Sequence, residues 1–219
     1  MNGLDFLEMS YNFEATDDFF ESVKEIDSLI DFAQREPDYQ NLFLKQATTS
    51  LVTKFQVYVE SVLKEFRFGL NGKEASLIPV YMRLNSIRLS MPKSDLNKLE
   101  SHREYNEIWK NRLNTAINSL SYLNDDAVID DCLQIDEKFP LGKTGRKELF
   151  NLLRQIKGEE NPFANFETEG LTINRLDSIL QMRHNVIHQD RFNSTERDVV
   201  DNENFIKKIV EYIDGYLVI

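Results

Sequence analysis

Arg183, His184 and His188 fall within one hexapeptide, Arg183-His184-Asn185-Val186-Ile187-His188, and an arginine with a histidine is a pairing that could serve a phosphate. The surrounding segment, residues 171 to 190, reads as a helix. At about 100° per residue, Leu176, Ile179, Leu180, Val186 and Ile187 form its buried stripe and Arg183 falls close to the centre of that stripe. An unpaired buried charge is costly, so Arg183 has to meet a carboxylate, a cleft or a partner subunit. His188 is five positions on, roughly 140° round the cylinder, so the two side chains do not simply face one another. One phosphate served by both requires a helix frayed near His188, or two copies of the helix related by a two-fold axis. A homodimer suits the second arrangement.

Other candidate constellations fail on chemistry. Gly142-Lys143-Thr144 looks like the end of a phosphate-binding loop, but the glycine needed five positions earlier is Glu137. His184 and His188 have the spacing of a zinc-protease helix, yet Asn185 stands where the general-base glutamate belongs and no third ligand is evident, so no metal site is expected. Cys132 lacks a nearby histidine and reads as inert.

The elements that must position these residues read as helices, because Gly and Pro number only 8 and 5 and long stretches lack both. Thr16-Asp17-Asp18 reads as a cap for a helix over about residues 17 to 34. A central helix is expected over about residues 39 to 68, with Leu51, Phe55, Tyr58, Val59, Val62, Leu63 and Phe66 as its apolar stripe. Helical character follows over residues 73 to 90, then a helix capped by Ser94-Asp95 carrying Leu113, Ile117 and Leu120. Residues 124 to 145 are acidic, then punctuated by Pro and Gly, and suit a surface loop or lid that could hold one short helix. A helix over about residues 146 to 157, a loop from Gly158 to Gly170, the Arg-His helix opened by Thr172, and a terminal amphipathic helix through Phe205, Ile209 and Ile213 complete the chain. No repeat or composition shift divides it, so a single domain over residues 1 to 219 is expected.

Composition sets the partners. The formal net charge is -11, which argues against a surface that grips nucleic acid everywhere. Residues 1 to 31 hold nine acids and one base, leaving only -3 on the rest. Leu141 to Gly158 has five bases, among them Lys143, Arg146 and Lys147, against Glu148 alone, so this strip is a candidate RNA-backbone contact, although a solvated helix face reads equally well. One cysteine excludes an intrachain disulfide, and no run approaches the roughly 18 apolar residues of a membrane span. A cytoplasmic protein with no membrane partner is expected.

The Arg183 to His188 segment resembles the R-x4-H motif of the HEPN superfamily, in the form with a polar residue directly after the arginine. The apolar lead-in LDSILQM, the polar exit Gln189-Asp190 where relatives often have a glycine, the terminal amphipathic helix and the early long helix extend the resemblance. GRKELFNLLRQIKGEENPF looks like the approach to the motif in prokaryotic HEPN-like nucleases of the RiboL-PSP and MAE groups.

The resemblance implies an all-α antiparallel helical bundle of the HEPN type, with added N-terminal and middle helices. It implies a homodimer whose motifs share one cleft and a metal-independent, cofactor-free endoribonuclease. His188 would be general base or acid, Arg183 the phosphate-binding group and His184 a supporting residue, with Glu60 as a possible further support. RNA brings its own 2'-OH nucleophile, so the expected products carry a 2',3'-cyclic phosphate and a 5'-OH. Phage defence or a toxin-antitoxin role, with an antitoxin or other protein partner, is the setting implied. Other readings stay open: a core Arg183 paired with a glutamate such as Glu60, histidines that merely suit a helix C-terminus, a solvated Glu60, a non-catalytic HEPN module binding nucleotide or a protein, or a plain helical interaction protein.

Overall fold

A computed structural model of the chain describes residues 11–90, 107–140, 145–168 and 172–218. Among them are eight α-helices: α1 (Glu14–Arg35), α2 (Gln40–Gly69), α3 (Val80–Ser90), α4 (Glu107–Ser121), α5 (Gly145–Lys157), α6 (Ala164–Thr168), α7 (Arg175–Gln189) and α8 (Glu196–Tyr216). The described residues contain no strand, only one isolated antiparallel bridge between Glu74 and Val128. No helix among them is long and apolar enough to cross a membrane. The chain divides into two compact units, the first from residues up to Val62 together with Gln181–Val218, the second from Leu63–Leu180. Helices α2 and α7 contribute turns to both.

In the first unit α1 packs on α8, and the core is built from Phe19, Val23 and Ile26 of α1, Leu51, Phe55 and Val59 of α2, and Phe205, Ile209 and Ile213 of α8. These positions recur every three or four residues, the period that lines one face of a helix. Tyr58 is buried with its hydroxyl donating to the Val210 carbonyl at 3.0 Å. Thr16 does not cap α1. The N-cap is Phe13, without a side-chain cap, and Thr16 is buried, donating its hydroxyl to Asp214 Oδ1 at 2.7 Å. The same carboxylate accepts the Asn12 and Phe13 backbone N–H groups and the Asn12 side-chain amide, so a residue of α8 holds the N-cap of α1 and the residue before it. Helix α8 begins behind a capping box in which Thr195 and Asp198 bond reciprocally, well before the Phe205, Ile209 and Ile213 stripe.

In the second unit α3 packs on α4 and α5. Pro79 directly precedes the first turn of α3, where its missing N–H costs nothing. Arg83 is buried and donates to the Ile78 and Tyr122 carbonyls and to Asp125 at 2.6 Å, which ties the residues after α4 to α3. Residues 124–140 form no helix; they bury Ile129, Leu133, Ile135 and Phe139, and Ile129 exchanges backbone bonds with Lys73 and Gly72. The segment is thus a packed strap over its described length. Ile117 and Leu120, expected in the core of α4, are 60% and 50% exposed, while Ala116 and Ser119 take the buried face. The expected cap at Ser94-Asp95 lies outside the described residues. The expected loop after Gly158 contains the short helix α6.

Candidate active site on helix α7

Helices α7 and α2 and a turn set the end of the Arg-His segment in the first unit. Helix α7 opens at Arg175, with Thr172 in the turn before it, and stays regular through Gln189. Asp190 then adopts a left-handed backbone, φ 49°, and the Arg191 N–H turns back to the Asn185 carbonyl at 3.2 Å. This is the position where a glycine would be unstrained, and aspartate is among the few other residues that tolerate it. Lys45 of α2 holds the same residue through an ion pair of 2.5 Å to Asp190 Oδ1, and this pair keeps the fully exposed carboxyl below its ordinary pKa. Beyond the turn, Ser194 donates to the Met182 sulfur at 3.2 Å. The helix end is therefore fixed, and the motif sits on an ordered last turn without fraying at His188.

Burial along the motif is graded. Leu176, Ile179 and Leu180 are buried, Gln181 through Val186 are half-buried, and Ile187 through Asp190 are exposed. The expected apolar stripe thus fails at its C-terminal end: Val186 is only half-buried and Ile187 is 45% exposed. A hydrophobic period marks which residues share a face, not how far along the helix that face is covered.

Arg183 lies where the burial changes. Its Nε is buried and has no hydrogen-bond partner among the described residues. A buried donor of a charged group left unmet is expensive and uncommon. Glu60 of α2 is half-buried and accepts the Gln56 side-chain amide at 3.2 Å; no ion pair joins it to Arg183. Four residues separate His184 from His188, one helical turn, and their ring centroids lie 4.5 Å apart at 45°. The Asn185 side chain turns to Gln181, whose amide it accepts at 2.7 Å. One face of the last two turns therefore carries two touching imidazoles, and Arg183, adjacent to His184, carries a guanidinium with an uncommitted buried nitrogen.

The other expected site residues lie elsewhere. Arg146 and Lys147 belong to α5 in the second unit, where Arg146 pairs with Asp177 at 3.6 Å, its backbone N–H also donating to that carboxylate; Lys147 is exposed. Lys143 falls outside the described residues. No group of three His, Cys, Asp or Glu side chains among the described residues is disposed to hold a metal. Lys45 and Asp190, which fix the end of the motif helix, were not legible as partners, because 145 residues separate them.

Neither a curated protein nor a solved structure matches the chain significantly. The family described as RiboL-PSP-HEPN matches residues 17–218, a span that runs through both compact units and includes the whole Arg183 to His188 segment. With its all-α helical fold and a match over most of its length, the chain belongs to the RiboL-PSP-HEPN family of the HEPN superfamily, which is associated with nuclease and RNA-related functions.

Proposed function

We propose that the protein is a metal-independent endoribonuclease that acts as a homodimer, with Arg183 and His188 as its catalytic pair and His184 in support. Both units together form one HEPN domain, consistent with the span of the family match. The observation that carries the reading is the half-buried Arg183, whose Nε meets no described partner, on the same ordered turns as a pair of histidines in tilted ring contact. A guanidinium held ready but unneutralised is a site for an anion, and its planar fork matches two phosphate oxygens. An imidazole titrates near neutrality and can take the 2'-OH proton as that oxygen attacks phosphorus. The leaving 5' oxygen then takes a proton from the imidazolium or from water, giving a 2',3'-cyclic phosphate and a 5'-OH. His184, in ring contact with His188, limits the orientations open to it. Glu60 stays a candidate support, and Lys143, Arg146 and Lys147 stay candidates for the RNA backbone. The setting that fits is a cytoplasmic toxin-antitoxin or phage-defence enzyme with a protein partner that restrains it.

The test is cleavage of a mixed-sequence RNA in the presence of EDTA. His188→Ala should lower the rate by about 10²- to 10⁴-fold, the range of a lost general base. Arg183→Ala should lower it by about 10²- to 10³-fold, with Arg183→Lys intermediate because it keeps the charge and loses the fork. Cleavage that needs magnesium, or that survives both alanine variants, sinks the assignment.

A further inference from the structure

The second unit contains a polar cleft of about 430 Å³, a size suited to a small ligand, between α3, α5 and the strap before α5. Arg88, Lys138 and Arg154 all line it. Three other arginines of this unit are neutralised: Arg67 pairs with Glu137, Arg83 with Asp125 and Arg146 with Asp177. The three cations of the cleft have no carboxylate partner among the described residues.

The floor of the cleft is built. Gln155 and Asn85 are 5% and 8% exposed, and the Asn85 amide donates to Gln155 Oε1 at 3.3 Å. Gln155 is itself locked to the strap, accepting the Asp136 N–H at 2.7 Å and donating to the Asp136 carbonyl at 2.6 Å. Asn85 Oδ1 then accepts both Nε and one terminal nitrogen of Arg88, at 3.0 and 2.8 Å. This relay commits two of the five N–H donors of Arg88 and leaves about three for a ligand. A guanidinium oriented in advance binds an anion at lower entropic cost than a free surface side chain.

Beside the cations stands an aromatic platform. Tyr81, which also lines the cleft, is 42% exposed, and the root of its ring packs on Gly158. Gly158 has φ +76°, and a Cβ there would lie 2.8 Å from Tyr81 Cγ, so only glycine lets the ring sit as it does. Two carboxylates, Asp136 and Glu148, line the cleft as well. Three cations, two acceptors and an exposed ring do not fit a bare polyanion. They fit a molecule with a phosphate, hydrogen-bond donors and a flat face.

We propose that this cleft binds a nucleotide, with the base stacked on Tyr81, the phosphate held by Arg88, Lys138 and Arg154, and the sugar hydroxyls or base amino group met by Asp136 and Glu148. The proposal does not rest on the Arg183 and His188 reading. The nucleotide can be a free monophosphate or one unit of a single strand, and the probes separate these. Adenosine monophosphate is titrated by calorimetry, and a fluorescein-labelled strand of six deoxyadenylates, which offers no 2'-OH to cleave, is titrated by anisotropy.

With the full chain, Arg154→Ala and Lys138→Ala should each weaken binding about fivefold, and each should lower the salt dependence of strand binding by about one phosphate contact. Tyr81→Ala should weaken it about tenfold and Tyr81→Phe should not, since stacking needs the ring alone. Displacement of the strand by the monophosphate assigns a free nucleotide; binding of the strand alone assigns a single-stranded segment. Either supports the site. Binding untouched by Arg154→Ala and Lys138→Ala overturns it, as does displacement by inorganic phosphate as effective as that by the monophosphate. Arg154 and Lys138 are exposed, so their variants decide the matter even if Tyr81→Ala unfolds.

Discussion

At the scale of single residues, the molecule keeps a few charged groups out of water, and each has a measurable consequence. Glu203 of α8 is 3% exposed with Lys207 at 2.5 Å. Burial raises its carboxyl above the ordinary range; Lys207 opposes the rise and Asp27 adds to it. The folded protein therefore holds this proton more tightly than the unfolded chain. The resulting stability is fully present below the unfolded value, about 4.3, and is lost as pH rises through the raised folded value. Wild type should accordingly lose stability relative to Glu203→Gln as the pH of a urea titration is raised from about 4 to 7. A difference that stays flat over that range would show that Glu203 does not couple to folding. Arg183 differs from Glu203 in having no described counter-charge, which is why it, and not the better-buried glutamate, is the candidate for ligand binding.

At the scale of elements, α1 is held to α8 at its N-cap and at Thr16 through Asp214. Asp214→Ala removes the acceptor of two backbone N–H groups, the Asn12 amide and the Thr16 hydroxyl, and should cost about 2 to 3 kcal/mol of stability, read from the shift in urea midpoint at unchanged slope. A shift below a few tenths would mean that water replaces the carboxylate without loss. The same contact shows where reading the chain reaches its limit. The long periodic helices were legible because a 3.6-residue period depends only on near neighbours, and α1, α2, α5 and α7 stand within a few residues of expectation. Thr16 was misread as a cap because its partner lies 198 positions away. Ile117, Leu120 and Ile187 were misassigned to the core because period fixes a face while packing decides whether that face is covered. Of the site, the Arg-His spacing was legible and the ordered helix end was not. That end rests on the left-handed Asp190 and its distant partner Lys45.

At the scale of the whole molecule, the regular helix through Gln189 bears on how a proposed dimer would work. Arg183 and His188 stand roughly 140° apart on an unfrayed cylinder, so a phosphate served by both is better met by two chains than by one. Mixing inactive Arg183→Ala with inactive His188→Ala should then regain activity. Random exchange makes about half of the dimers mixed, each with one intact composite site of two, so about a quarter of the wild-type rate is expected. No recovery after verified subunit exchange would place both residues of each site on one chain.

The interleaving of the two units also dictates an order of assembly during synthesis. The first unit needs residues up to Val62 and residues from Gln181 onward, while the second needs only the stretch between. At about 5 to 20 residues per second, the ribosome takes about 6 to 24 s to cross the intervening 118 residues, so the early helices wait unpartnered while the second unit has its own chain in hand. Helix α8 and the Arg183 to His188 turns leave the exit tunnel after the whole of the second unit. The half that carries the candidate catalytic residues therefore matures after the second unit, although its first helices are made earlier.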